Sequence, residues 1–231
     1  LVLVWRQGDL GIRATSPYLL LEKPVADRLP TGPRAEVLHD LMTRSRQQLA
    51  SHPVCAARRA IGETAPTGLW PWAEGGAVRL PSLRERHDVT GAVVAADPLV
   101  RGAGRLVGLR VVDVSADAGA AALVELGLQR LADLDFLLLH DGGAADASLA
   151  GDATRKVGAI ERFDAEVVGP LLAGLREQSD PWRLLVMPPE EINCTARAPT
   201  TEAVPFTIYV SGDDAKTTGA PRRFHERDAR D

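Results

Sequence analysis

Between Thr90 and Met187, short apolar runs alternate with stretches of helical period, and this alternation constrains the fold more than any other feature. The runs are TGAVVA (Thr90–Ala95), LRVVDV (Leu109–Val114), DFLLL (Asp135–Leu139) and RLLVM (Arg183–Met187). Between them, Asp97–Val107, Ala118–Ala132 and Ala153–Glu177 return apolar residues every three or four positions, the period of a helix packed on one face. Strands alternating with helices give an α/β fold, a mainly parallel sheet with helices on both faces. Ligands in such sheets sit beyond the C-terminal strand ends. Those ends fall near Ala95, Val114, His140 and Met187, and one more strand is expected at Val204–Val210.

The chain before Thr90 is built differently. LVLVWR (Leu1–Arg6) reads as a strand, turned by Gly8-Asp-Leu-Gly11. Pro24, Pro30 and Pro33 break the next stretch into loops. Arg34–Ala50 carries Val37, Leu38, Leu41, Met42 and Leu49 at helical spacing, and Pro53 follows that helix. Pro66–Gly76 (PTGLWPWAEGG) is too rich in Pro and Gly for a regular element, and Trp70 and Trp72 are expected to cover a hydrophobic edge. Three segments are therefore expected: a small lid-like segment at 1–84, a core at 85–211, and a mobile charged tail at 212–231. A chain that opens on Leu inside a strand pattern predicts a fragment or a processed chain.

Charge narrows the partners. The net charge is −4, which argues against a nucleic-acid partner. Residues 1–84 carry eleven Lys/Arg against seven Asp/Glu, a balance of +4, and the remainder carries sixteen against twenty-four, a balance of −8. The basic segment suits an anionic ligand. Cys55 and Cys194 fit no metal-binding spacing, so reduced thiols and a cytoplasmic setting are expected. No apolar run is long enough to span a bilayer, and no membrane partner is expected.

The stretch HDGGAADASLAGD (His140–Asp152) follows the third apolar run, where an α/β fold delivers its chemistry. His140, with Asp141 and Asp146 nearby, has the type of a general acid/base or metal ligand, against a plain strand-end histidine held by backbone. Asp141, Asp146 and Asp152 could form a weak oxygen site for Mg²⁺ or Ca²⁺, but Asp152 is better placed to cap the following helix. Glu190-Glu191 reads as a solvated loop. Ser115 and Ser148 have no assigned base and no nucleophile turn. Gly102-Ala-Gly104 is better explained by close helix–strand packing than by phosphate binding. Arg58 and Arg59 could clamp a carboxylate or phosphate, against the alternative of a surface pair. Lys156, Glu161 and Asp164 share a helix at spacings that suit a salt-bridged face.

The order of these segments resembles the archaeal-type cofactor-independent phosphoglycerate mutases of the alkaline phosphatase superfamily. The stretches that carry the resemblance are HPVCAARRAIG (His52–Gly62), LWPWAEGG (Leu69–Gly76), LPSLRERHDVTGAVVAADPLVRGAGRLVGLRVVDV (Leu80–Val114), GDATRKVGAIERFDAEVVGPLL (Gly151–Leu172) and VPFTIY (Val204–Tyr209). They cover the C-terminal part of such an enzyme and imply an alkaline-phosphatase-like core, incomplete. The family uses two divalent metals such as Mn, Zn or Mg, held by carboxylate and imidazole ligands. In the resemblance, a family ligand Asp falls on Ala145 and a ligand His on Leu149. A later Pro-Asp-His motif falls on VMPPEE, with Pro189 and Glu190 at the ligand places, and a family His-Thr falls near Pro199-Thr200. The family's substrate loop after Val114 is shortened to SADAG (Ser115–Gly119). Arg58 and Gly62 keep a family spacing, with Cys55 in place of an Asn; Asp97 keeps a strand-end carboxylate; Lys156, Glu161 and Asp164 keep their helix places.

These correspondences lead to an expected function. The chain is expected to be a degenerate phosphoglycerate-mutase-like protein, with no catalytic residue, no metal ligand and no cofactor of its own. It is expected to bind an anionic metabolite, phosphorylated or carboxylate, or a protein partner. Arg58, Arg59, His140 and Asp97 are the candidate substrate-binding residues. Two alternatives stand beside it. One is an active mutase interconverting 3- and 2-phosphoglycerate in glycolysis, whose nucleophile and metals come from a missing N-terminal part or a partner chain. The other is a scaffold subunit whose sheet edge pairs with another chain.

Overall fold

The structure, a computed structural model, describes residues 2–114 and 119–212. The expected tail from 213 onward and Ser115 lie outside the described residues. The chain divides into two compact units, Leu1–Ala77 and Val78–Asp231.

The first unit is helical and loop-built. Helix α1 (Ala35–Ser51) matches the expected helix and buries Leu38 and Met42. Helix α2 (Pro53–Ala60) follows at once and was not expected. Pro53 starts it rather than ending its predecessor, because a missing N–H costs nothing in the first helical turn. His52 caps it, Nδ1 accepting from Val54 N at 3.3 Å. The strand expected at Leu1–Arg6 does not form: residues 2–5 pair with nothing among the described residues, and Val2, Leu3 and Val4 are exposed. An apolar alternation without a partner strand has no ladder to join. The only bridge described in this unit joins Arg13 to Thr31. Trp70 is anchored by its Nε1–H donating to Thr15 O at 2.8 Å, whereas Trp72 is 45% exposed and meets Tyr18 edge-on.

The second unit contains the α/β core. Helix α3 (Leu83–His87) leads in, closed by a capping box in which Ser82 and Glu85 satisfy each other's backbone N–H groups. Strands β1 (Gly91–Ala95), β2 (Arg110–Val112) and β3 (Phe136–His140) form a parallel sheet in the order β2-β1-β3. Helix α4 (Pro98–Leu106) connects β1 to β2, and helix α5 (Ala120–Leu131) connects β2 to β3 across β1. Alternation along β1 divides the core between the faces. Ala92 and Val94 pack with Val112 and Leu123 on the α5 side. Val93 and Ala95 pack with Leu109, Val100 and Val107 on the α4 side. Each fully buried Val contributes about 1.5–3 kcal/mol, so β1 carries much of the sheet's stability.

Beyond β3 lie helix α6 (Gly143–Leu149), helix α7 (Ala153–Phe163), a π-helical turn (Asp164–Val168) and helix α8 (Gly169–Arg176). The one long helix expected at Ala153–Glu177 is thus interrupted by the π turn, and α6 replaces an expected loop. Strand β4 (Arg183–Val186) does not join the parallel sheet. After the short antiparallel pair β5 (Ile192–Asn193) and β6 (Ala198–Pro199), β7 (Thr207–Val210) returns to pair antiparallel with β4.

Candidate functional site

β1 and β3 end side by side, with Ala95 and His140 as register partners, and the C-terminal strand ends are where an α/β sheet places its ligands. A cavity of about 160 Å³ lies just past the end of β3, lined by Ala120, Asp141, Gly143, Arg162, Phe163 and Glu166. Three elements place these groups: the start of α5, the turn from β3 into α6, and the end of α7 with its π turn.

Asp141 bends the chain out of β3, its Oδ1 accepting from Gly143 N at 2.8 Å. That bond fixes the carboxylate as an Asx-turn at the cavity wall. His140 is half-buried at the strand end, and its ring makes no hydrogen bond to a described residue. Arg162 projects from the last turn of α7 and is in no described ion pair, although Asp141 and Glu166 line the same cavity. Helix α5 begins at Gly119 with no side-chain cap among the described residues, and Ala122 N donates to Gly119 O at 3.0 Å. The cavity therefore offers one guanidinium, two carboxylates and a helix start.

The other singled-out residues are spread widely. Asp97 caps α4, Oδ1 accepting from Leu99 N at 2.6 Å. Arg58 and Arg59 belong to the first unit and serve its loops. Arg58 Nε–H donates to Thr64 O at 2.9 Å and Nη2 lies 3.1 Å from Glu63 Oε2, and Arg59 Nη2 donates to Ala50 O at 3.0 Å. One guanidinium is held by the loop after α2 and the other by the last turn of α1, rather than aimed together. Asp152 caps α7 as expected, accepting from Arg155 N at 2.8 Å. Ser148 is buried and its hydroxyl donates to Ala144 O within α6 at 2.8 Å, which removes it as a nucleophile. Glu191 accepts from the Thr200 hydroxyl and so braces the β5-β6 loop, while Glu190 is exposed.

The expected salt-bridged face on the long helix is corrected. Lys156 Nζ donates to Ile192 O at 2.9 Å, and no described ion pair joins Lys156, Glu161 and Asp164. A carbonyl lying thirty-six residues away is the nearer partner, which helix spacing alone cannot reveal. Arg162 and Glu166 were missed; their i,i+4 spacing was the available signal.

Ala145 and Leu149, the places where the resemblance implies metal ligands, both lie in α6. Neither side chain has a donor atom. Among the described residues no three His, Cys, Asp or Glu side chains converge as a metal-binding set. The residues present do not fit the two-metal arrangement. Among the described residues no helix is long and apolar enough to cross a membrane.

Comparison with known proteins places these features in context. No family model matches the chain. It is 36% identical over 203 residues to a 2,3-bisphosphoglycerate-independent phosphoglycerate mutase of Methanothrix thermoacetophila, covering 86% of this chain and 52% of that protein. It is 33% identical over 223 residues to a probable enzyme of the same name from Geobacter sulfurreducens, covering 94% and 55% respectively. The solved structure of the PH0037 protein from Pyrococcus horikoshii superposes with a TM-score of 0.60 at 26% identity, over 84% of this chain and 51% of that one. The chain thus spans about half the length of the curated relatives it matches.

Proposed function

We infer the function from kinship: the chain is a relative of the 2,3-bisphosphoglycerate-independent phosphoglycerate mutases, and its own residues retain their scaffold without their metal chemistry. It is a mutase-like protein that binds a small phosphorylated or carboxylate metabolite and does not transfer the phosphoryl group. The observation that carries this reading is the identity of Ala145 and Leu149 within α6. Migration of a dianionic phosphoryl group requires cations or an equivalent set of donors around the developing charge. An alanine and a leucine at the strand-end helix supply neither. An anion can still be held by weaker means: Arg162 at the cavity, the uncapped start of α5, and the neighbouring His140.

The active alternative has one observation in its favour. The relatives carry about as much chain again as this one spans, so nucleophile and metals could come from polypeptide outside it.

The test is metal analysis and turnover on the purified chain, with 3-phosphoglycerate titrated calorimetrically. Expected are substoichiometric Mn, Zn and Mg, no formation of 2-phosphoglycerate, and binding weakened at least several-fold in Arg162→Ala. Stoichiometric metal with turnover overturns the reading.

A further inference from the structure

The cavity past the end of β3 carries more chemistry than holding an anion requires. Its floor is apolar: Ala159 and Val167 are 5% and 2% exposed, and Phe163, half-buried, lines the same space. Its rim carries charge of both signs. Arg162, Asp141 and Glu166 are exposed there, one positive group against two negative, and none of them is in a described ion pair.

Local structure holds these groups apart. A Cβ built on Gly158 would stand 3.4 Å from Arg162 Nη1, so the guanidinium lies back along α7 over a residue with no side chain. Asp141 is tethered by Gly143 N, and a carboxylate that accepts one bond keeps acceptor sites for others. A Cβ at Gly143 would stand 3.1 Å from Asp141 Oδ1, so glycine keeps that wall open.

Charge and size together select the occupant. The cavity, about 160 Å³, has room for about five waters at roughly 30 Å³ each, or for one small organic molecule. A dianion at Arg162 would meet two carboxylates across the same space, and like charges that close oppose its binding. A bare divalent cation would meet the guanidinium and fewer oxygen ligands than such ions take, since no three acidic or metal-binding side chains converge among the described residues. A molecule that carries a carboxylate and an ammonium side by side answers both signs at once.

We propose that the cavity binds a small zwitterion, an α-amino acid with a short apolar side chain. Its carboxylate pairs with Arg162 beside the start of α5 at Ala120, where the helix dipole favours negative charge. Its ammonium pairs with Asp141 and Glu166, and its side chain rests on Phe163 and Val167. The proposal rests on the reading of this cavity as the ligand site and narrows the carboxylates of that reading to those that bring their own positive charge.

The experiment titrates the full chain, labelled with ¹⁵N, with L-alanine, L-lactate and ethylamine, and follows the amide shifts of Gly143 and Phe163. Lactate replaces the ammonium with a hydroxyl, and ethylamine lacks the carboxylate. L-Alanine is expected to move both amides and to bind at least about tenfold more tightly than either of the others. Glu166→Gln is expected to weaken L-alanine several-fold without weakening L-lactate, and Arg162→Ala to weaken both. Lactate binding as tightly as alanine, at the same amides and with the same dependence on Arg162, overturns the zwitterion and leaves the carboxylate reading standing. Amides unmoved by these three ligands and by 3-phosphoglycerate overturn both.

Discussion

Gly104 of α4 lies so close to Val93 of β1 that a Cβ built on the glycine would stand 2.6 Å from Val93 Cγ1. Val93 is fully buried and cannot move aside. Gly104→Ala is therefore expected to destabilise the protein by about 1–3 kcal/mol, although alanine is the better helix former. Gly102, two residues away on the same helix, meets nothing within 4 Å. Gly102→Ala is expected to stabilise by about 0.5–1 kcal/mol. Urea unfolding of the two variants should shift in opposite directions.

Asp97 at the head of α4 acts first as a cap. Asp97→Ala should cost about 1 kcal/mol, and Asp97→Asn only a few tenths, because the amide oxygen still accepts from Leu99 N. Equal losses in both variants, measured by thermal unfolding, would mean that the charge rather than the cap is what matters.

Asp135 Oδ2 accepts from both the backbone N–H and the hydroxyl of Thr90, at 2.8 and 2.7 Å. These bonds, the backbone one foremost, hold its carboxyl below the usual aspartate value. A lowered folded-state pKa stabilises the fold at neutral pH, and the stabilisation is lost as pH falls from about 4 through the folded value. Asp135→Asn should unfold more readily than the parent at pH 7, with the difference shrinking toward pH 2. A constant difference across that range would exclude titration of Asp135 as its source.

Two free thiols sit in different surroundings: Cys55 is buried, with Sγ–H toward Pro66 O, and Cys194 is half-buried. An aromatic disulfide reagent is expected to label Cys194 in the native protein and Cys55 only as the first unit opens. Equal native labelling rates would contradict the packing around α2.

Chelation gives a fifth test. With Ala145 and Leu149 in α6, EDTA is expected to leave the thermal midpoint unchanged, and added Mn²⁺ or Zn²⁺ to raise it negligibly. A rise of several degrees with either ion would point to ligands beyond those described.

Much of the parallel core was legible because its signals are local. GAVVA has nowhere to go but a buried strand, and Asp97-Pro98 and Asp152 announce helix starts through caps. The failures have physical causes too. LVLVW looks like a strand, but pairing depends on a partner that sequence periodicity does not encode. GAADASL reads as a loop because its small residues give almost no amphipathic signal, and it is packing of Ala147 and Ser148 that makes it a helix. At the site, Arg58 and Arg59 are held by carbonyls of Thr64 and Ala50, and Lys156 by that of Ile192. Such partners arise from the path of the chain, not from spacing along one element.

The π turn at Asp164–Val168 has a consequence for how this site could change. It lets α7 turn one side to α6 while α8 presents Leu171 and Leu175 to the α5 cluster, which a straight, evenly wound helix would not do so readily. Val167 of this turn both lines the cavity and sits in that cluster, so the floor of the cavity is also part of the pillar that supports the sheet. A larger side chain at the turn would therefore narrow the cavity and strain the sheet's support together.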